Sequence, residues 1–237
     1  MKIRKILGKI LDWPAIDQHV LHAQLRNGVI KLKILTCLSI ALVCLTAIGG
    51  MSRVVVIDAG HGGWDPGKVS VSQHIEKEIN LAITLYLQQF LEANGIIVFT
   101  TRAEDVALGD RKRVDLAARA NMPTDMQADI FVSIHQNALA KESVKGAQTF
   151  YYEGSVESKR LAEAIQNRIK TSLDPENHMG AKANTAYFLL KETKTPAVIV
   201  ECGFLTNPTE ADKLITEEYQ QRVAWAIFLG IMDYFAR

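Results

Sequence analysis

The chain has 237 residues, 48% of them apolar and 22% charged, enough for one globular domain of ordinary core size plus an extension. The formal net charge of +1 divides unevenly: seven Lys/Arg face two Asp in residues 1–50, leaving 20 bases against 24 acids beyond them. That balance excludes a nucleic-acid-binding body, and with Cys202 as the only cysteine after residue 50 there is no disulfide framework or CxxC metal motif there.

Residues 1–33 carry Lys2, Arg4, Lys5, Lys9, Arg26, Lys31 and Lys33, with Ile3, Ile6, Leu7, Ile10 and Leu11 at helical spacing until Pro14 interrupts it. This reads as a cytoplasmic basic segment beside a membrane. His19 and His22 have no third ligand nearby and are taken as surface residues. Residues 34–52 are free of charge, and that length of helix reaches roughly 28 Å, about the thickness of a hydrocarbon core. Lysines on its N-terminal side place 1–33 inside and the body outside, on the extracytoplasmic side. An uncleaved transmembrane anchor is expected. Ala47 and Gly49 also suit a signal peptidase, which would make the protein secreted instead.

The body, 53–237, opens on VVVIDAGHGG at 54–63, a buried strand running into a glycine turn that carries His61. A polar loop at 64–73 leads to a helix at 76–92, stopped by Asn94-Gly95. A strand at 96–101, a helix at 110–121, and strands at 129–135 and 146–152 follow. Next come an amphipathic helix at 155–172, a short strand at 187–190, a strand at 197–201 and a closing helix at 217–235. Strands alternating with helices predict an α/β fold: a mostly parallel sheet flanked by helices on both faces.

Three strands end on groups that bind metals or move protons: His61, His135 and Glu201. Open α/β sheets bind ligands at that carboxyl edge. A hydrolytic zinc site needs three protein ligands and one open position. His61 and His135 supply two. Glu76, opening the first long helix, is preferred as the third, and His74 competes with it on spacing alone. Glu201 is then the carboxylate that takes a proton from water and passes it to a leaving nitrogen. Each residue also has a plainer reading, as a hydrogen-bonded loop residue or a helix cap. The glycine turn lacks the GxGxxG order of a dinucleotide site.

The set GHGG at 60–63, IEKEINLAIT at 75–84, TR at 101–102, ADIFVSIHQNA at 128–138 and PAVIVECGFLTNPTEADKL at 196–214 resembles the zinc-dependent N-acetylmuramoyl-L-alanine amidases of the type 3 family. The resemblance implies His61, Glu76 and His135 as ligands of Zn2+, favouring Glu76 over His74, and Glu201 as the catalytic carboxylate. It implies hydrolysis of the amide between N-acetylmuramic acid and L-alanine in peptidoglycan. DLAARANM at 115–122 and GAQTFYY at 146–152 are similar to the spore-cortex (germination) subgroup, which helps make muramic lactam. The long N-terminal extension and the short Arg102–Asp115 connection depart from the pattern. No glycan-binding repeat is visible, so targeting falls to the anchor or to an activating protein partner. Asn137 is a candidate substrate contact. Arg102 and Arg119 are expected to pair with Asp or Glu of the body rather than with substrate. The competing functions are another zinc peptidase of the same architecture, or an inactive zinc-containing wall-binding module.

Overall fold

The computed structural model describes residues 52–236. The basic segment 1–33 and the anchor expected at 34–52, apart from Ser52, lie outside the described residues. Among the described residues no helix is long and apolar enough to cross a membrane.

The body is built on a six-stranded sheet in the order β2-β1-β3-β6-β4-β5. The strands are β1 Val54–Ala59, β2 Ile97–Thr100, β3 Ile130–Asn137, β4 Gln148–Tyr152, β5 Lys182–Asn184 and β6 Ala197–Phe204. β2, β1, β3 and β6 run parallel. β4 pairs antiparallel with β6, and β5 lies parallel to β4. The sheet is therefore parallel through its centre and reverses at one side, which strand–helix alternation did not foretell.

The helices are α1 Glu76–Ala93, α2 Lys112–Asp125, α3 Val156–Arg168, α4 Phe188–Glu192, α5 Pro208–Leu214 and α6 Glu217–Phe235, with one π-helical turn at Ile169–Leu173. Side chains alternate across the strands. Val55 and Ile57 of β1, Val132 and Ile134 of β3, and Val198 and Val200 of β6 join one cluster with residues of α1, α3 and α6. Val56, Phe131 and Ile199 face the other way, against Ala120 of α2 and Leu189 and Leu190 of α4. Each such side chain, fully buried, contributes about 1.5–3 kcal/mol of transfer free energy. Helices thus cover both faces, as expected.

Three local readings are corrected. The strand expected at 187–190 is α4, with extended Tyr187 as its N-cap residue. A four-residue run of Tyr, Phe and Leu fits a buried strand or a buried helix equally, and packing of Leu189 and Leu190 under the sheet decides for the helix. β5 and α5 were not anticipated. β5 has three residues, too short for a period, whereas α5 carries its own start signals: Asn207 accepts the Glu210 N–H, and Pro208 opens the helix. Elsewhere the boundaries agree to within four residues, and α1 ends at Asn94 and Gly95 as expected, with Gly95 at φ 78°.

Candidate metal centre and active site

β1, β3 and β6 end at one edge of the sheet, and there the chain assembles its chemistry. Beyond β1, His61 takes φ 63° and is followed by Gly62 at φ 131°. A left-handed histidine is uncommon and turns the chain sharply. Gly60 allows the close approach of β3: a Cβ there would stand 2.3 Å from the His135 ring. His135 and Glu201 are Cα partners across β3 and β6, so strand register alone fixes their neighbourhood. Glu76 enters from the first residue of α1.

His61, Glu76 and His135 offer ligand atoms that all lie within 4.8 Å of one another. His61 Nε2 is 3.2 Å from Glu76 Oε1, and His135 Nδ1 is 3.0 Å from the same oxygen. Burial alone would raise the Glu76 carboxyl, but its bonds to His135 and His61 overcome that and hold it far below the usual range. Burial opposes the charge on His135, yet Glu76, Glu201 and Asp58 raise its pKa. Two half-buried imidazoles drawn around one buried carboxylate at the sheet edge form a donor set suited to a divalent cation such as zinc.

The outer contacts orient each member. Asp65 Oδ2 stands 2.9 Å from His61 Nδ1, leaving Nε2 to face Glu76. Asp65 also pairs with Lys112. Although burial opposes it, Asp65 is held down to about 2 by Lys112 and His61. Glu76 Oε2 accepts the Lys68 N–H at 2.8 Å, and Oε1 accepts the Gln136 N–H at 3.1 Å. Asn80, one turn along α1, donates to Gly60 O at 3.1 Å and accepts from Gln136 Nε2 at 3.1 Å.

Glu201 lies beside this group. Its Oε2 is buried without a hydrogen-bond partner. Burial, opposed by His135 and reinforced by Glu76, pushes its carboxyl up to about 7. Burial and the Glu201 charge push the Tyr187 phenol up to about 12. A cavity of about 320 Å3 is lined by His61, His135 and Glu201 together with Lys112, Leu116, Phe188 and Ile199. A carboxylate of raised pKa at the wall of such a cleft is placed to exchange a proton with a molecule inside.

The structure places the other candidates elsewhere. His74 faces Asp212, Nε2 to Oδ1 3.5 Å, and is not part of the His61–Glu76–His135 group. Asn137, at the end of β3, spends its Oδ1 on the Ala138 N–H at 2.8 Å. Arg119 pairs with Asp58 and Asp115, as expected. Arg102 departs from expectation: its hydrogen bonds go to backbone carbonyls, not to carboxylates. Sequence reading passed over Asp65, Asn80, Gln136, Lys112 and Tyr187. Two of these had a signal: Asp65 falls four residues after His61, and Asn80 one helical turn after Glu76.

Fold and site together define an α/β protein in which two parallel strands and the start of α1 bring together a His–Glu–His group, able to hold a metal ion, and a third parallel strand sets the Glu201 carboxylate beside it. The chain belongs to the type 3 N-acetylmuramoyl-L-alanine amidase family, whose model matches residues 55–233. It is 32% identical over 191 residues to the germination-specific N-acetylmuramoyl-L-alanine amidase of Bacillus subtilis, covering 77% of this chain and 80% of the relative. Among solved structures, the CwlD amidase from Clostridioides difficile in complex with the GerS lipoprotein matches with TM-score 0.75 and 38% identity, over 78% of this chain and 99% of that one. An N-acetylmuramoyl-L-alanine amidase from Clostridium difficile 630 matches with TM-score 0.73 and 33% identity, over 79% and 98%. These similarities fall with the spore-cortex subgroup of the family, and amide hydrolysis in peptidoglycan is the activity that membership carries.

Proposed function

We propose that the chain is a zinc-dependent amidase, that His61, Glu76 and His135 hold the metal, and that it acts on spore-cortex peptidoglycan. Zinc bound there would polarise the scissile carbonyl and acidify water toward neutrality. The remaining chemistry belongs to the chain's own residues. Glu201 accepts the proton of the attacking water, holds it in a buried pocket, and returns it to the amide nitrogen of L-alanine as that group leaves. The apolar wall of Leu116, Phe188 and Ile199 limits water around the exchange. Asp65 and Gln136 keep His61 and Glu76 in place. Asn137 would meet substrate through its side-chain nitrogen, its oxygen being engaged. The observation that carries this reading is the unpaired Oε2 of Glu201, in strand register with His135, on a cavity that both residues line.

Residues 34–52 would anchor the enzyme with its body outside the membrane, on the grounds of length and flanking charge. The relative solved with a lipoprotein supports a protein partner here as well. A zinc peptidase of the same architecture, or an inactive wall-binding module, would show itself in the same assay.

The test is zinc content and muropeptide cleavage, followed by mass spectrometry, on one set of proteins. The parent should hold one zinc per chain, and His61→Ala and His135→Ala should lose it. Glu201→Gln should keep its zinc and lose about 10²- to 10⁴-fold in cleavage rate. Zinc retained by both histidine variants, or near-parental cleavage by zinc-loaded Glu201→Gln, would overturn the assignment.

A further inference from the structure

The turn that carries His61 is gripped by two guanidiniums. Arg119, on α2, donates from Nη2 to His61 O at 2.8 Å and from Nη1 to Ala59 O at 2.8 Å. Arg102, just past β2, donates from Nε to His61 O at 2.8 Å and to Ala59 O at 2.9 Å, and from Nη2 to Gly60 O at 3.1 Å. The carbonyls of three consecutive residues, Ala59, Gly60 and His61, therefore all end on these two side chains. Arg102 also reaches Lys77 O at 2.7 Å, so it touches backbone beside Glu76 as well.

Neither arginine is free to drift. Both are buried, Arg102 at 3% exposure and Arg119 at 1%. Arg119 meets Asp115 with Nε–Oδ2 2.7 Å and Nη2–Oδ1 3.1 Å, and Asp58 Oδ1 at 2.7 Å. Asp58 is fully buried and is fixed by the Thr101 hydroxyl at 2.8 Å and the Ser133 hydroxyl at 2.6 Å. This is a cross-braced core of charge under a single turn.

A buried ion network is weak evidence for stability, because apolar residues of like volume would serve as well. What this one does that apolar residues cannot is hold carbonyls in fixed directions. His61 needs that restraint. At φ 63° it occupies a region that a non-glycine residue keeps only when its surroundings over-determine it. We infer that Arg102 and Arg119 are positioning residues of the metal centre: they lock Ala59–Gly60–His61 so that His61 Nε2 is presented to Glu76 and His135, and thereby set metal affinity. The inference rests on the metal reading proposed above.

Arg102→Lys, Arg119→Lys and Asp115→Asn test it, the last loosening Arg119 without touching the turn. Zinc affinity is measured by chelator competition, the cobalt(II)-loaded proteins by absorption, and the muropeptide reaction by kcat and KM. Each variant should bind zinc about 10- to 100-fold more weakly, the range for groups that orient a ligand. Cobalt absorption should shift, KM should stay near the parent's, and excess zinc should restore much of kcat. Arg168→Lys is the control. It weakens the Arg168–Asp233 pair, with contacts of 2.6 and 2.8 Å on α3 and α6, and should lower the melting temperature without altering zinc affinity. Folded variants with parental zinc affinity and cobalt spectrum would overturn the clamp alone. Failure of all three to fold would make the network a folding element and overturn it too. A parent chain that binds no zinc would instead overturn the metal reading, and the clamp with it.

Discussion

A carboxylate such as Glu201, buried beside a second carboxylate and without a hydrogen-bond partner for Oε2, is costly to keep charged in the metal-free protein. Burial lifts its pKa from 4.5 to about 7. The folded state therefore holds a proton that the unfolded chain has already released in that interval. The stability this proton confers is whole below pH 4.5 and is lost as pH rises through about 7. Glutamine carries no such burden. Metal-free Glu201→Gln should thus match the parent in urea unfolding at low pH and exceed it above neutrality by on the order of 1–3 kcal/mol. Equal stability at high pH would show that Glu201 already has a partner. Asp65 is the complementary case, a residue that acts through His61. Asp65→Asn should weaken metal binding by about 10- to 100-fold while leaving the fold intact, read by chelator competition. His61, His135 and Glu201 were legible because each falls near the carboxyl end of a strand. Asp65 was not singled out, since an Asp in a glycine-rich turn has a commoner use as a turn residue. Glu76 was preferred over His74 by its place at the start of the helix and by the family resemblance, since spacing alone left both open.

At the scale of elements, the parallel centre of the sheet was readable from runs such as VVVI and AVIV, which only a strand covered on both faces tolerates. The reversal at β4 was not, since a strand's direction is set by its connections and not by its composition. Close element contacts explain where glycine is required. In α6, a Cβ on Gly230 would lie 2.4 Å from the Ile165 Cα of α3. Backbone cannot yield as a flexible side chain does, so Gly230→Ala should cost about 1–3 kcal/mol as the helices separate. Cleavage per folded molecule should not change. Gly60→Ala makes the opposite trade: its methyl would press on the His135 ring at 2.3 Å, displacing a proposed ligand. Metal content and activity should then fall beyond any loss of stability. Thermal melts and metal analysis on the two variants separate the effects, and a Gly60→Ala protein with full metal would contradict the placement of His135.

For the molecule as a whole, the direction of β1 matters most. Its six residues run from Val54 to the site at Ala59, a span of about 20 Å, so the described body begins at the end of the sheet opposite the cleft. Both faces of the sheet are covered by α1, α3 and α6 and by α2 and α4. The most exposed apolar residues, Val71 at 82% and Val156 at 76%, stand on a loop and on the start of α3 rather than in one patch on a single element. A chain beginning at Ser52 should therefore be soluble, melt cooperatively, and bind metal and cleave muropeptides as the full-length protein does in detergent. The full-length chain should sediment with membranes and the shortened one should not, if residues 34–52 are an anchor. Equal activity with different partition would place residues 1–51 in targeting and the rest in chemistry. A shortened chain that aggregates, and recovers activity only when residues 34–51 are restored, would show that the apolar run packs on the body, and the proposed membrane topology would fall.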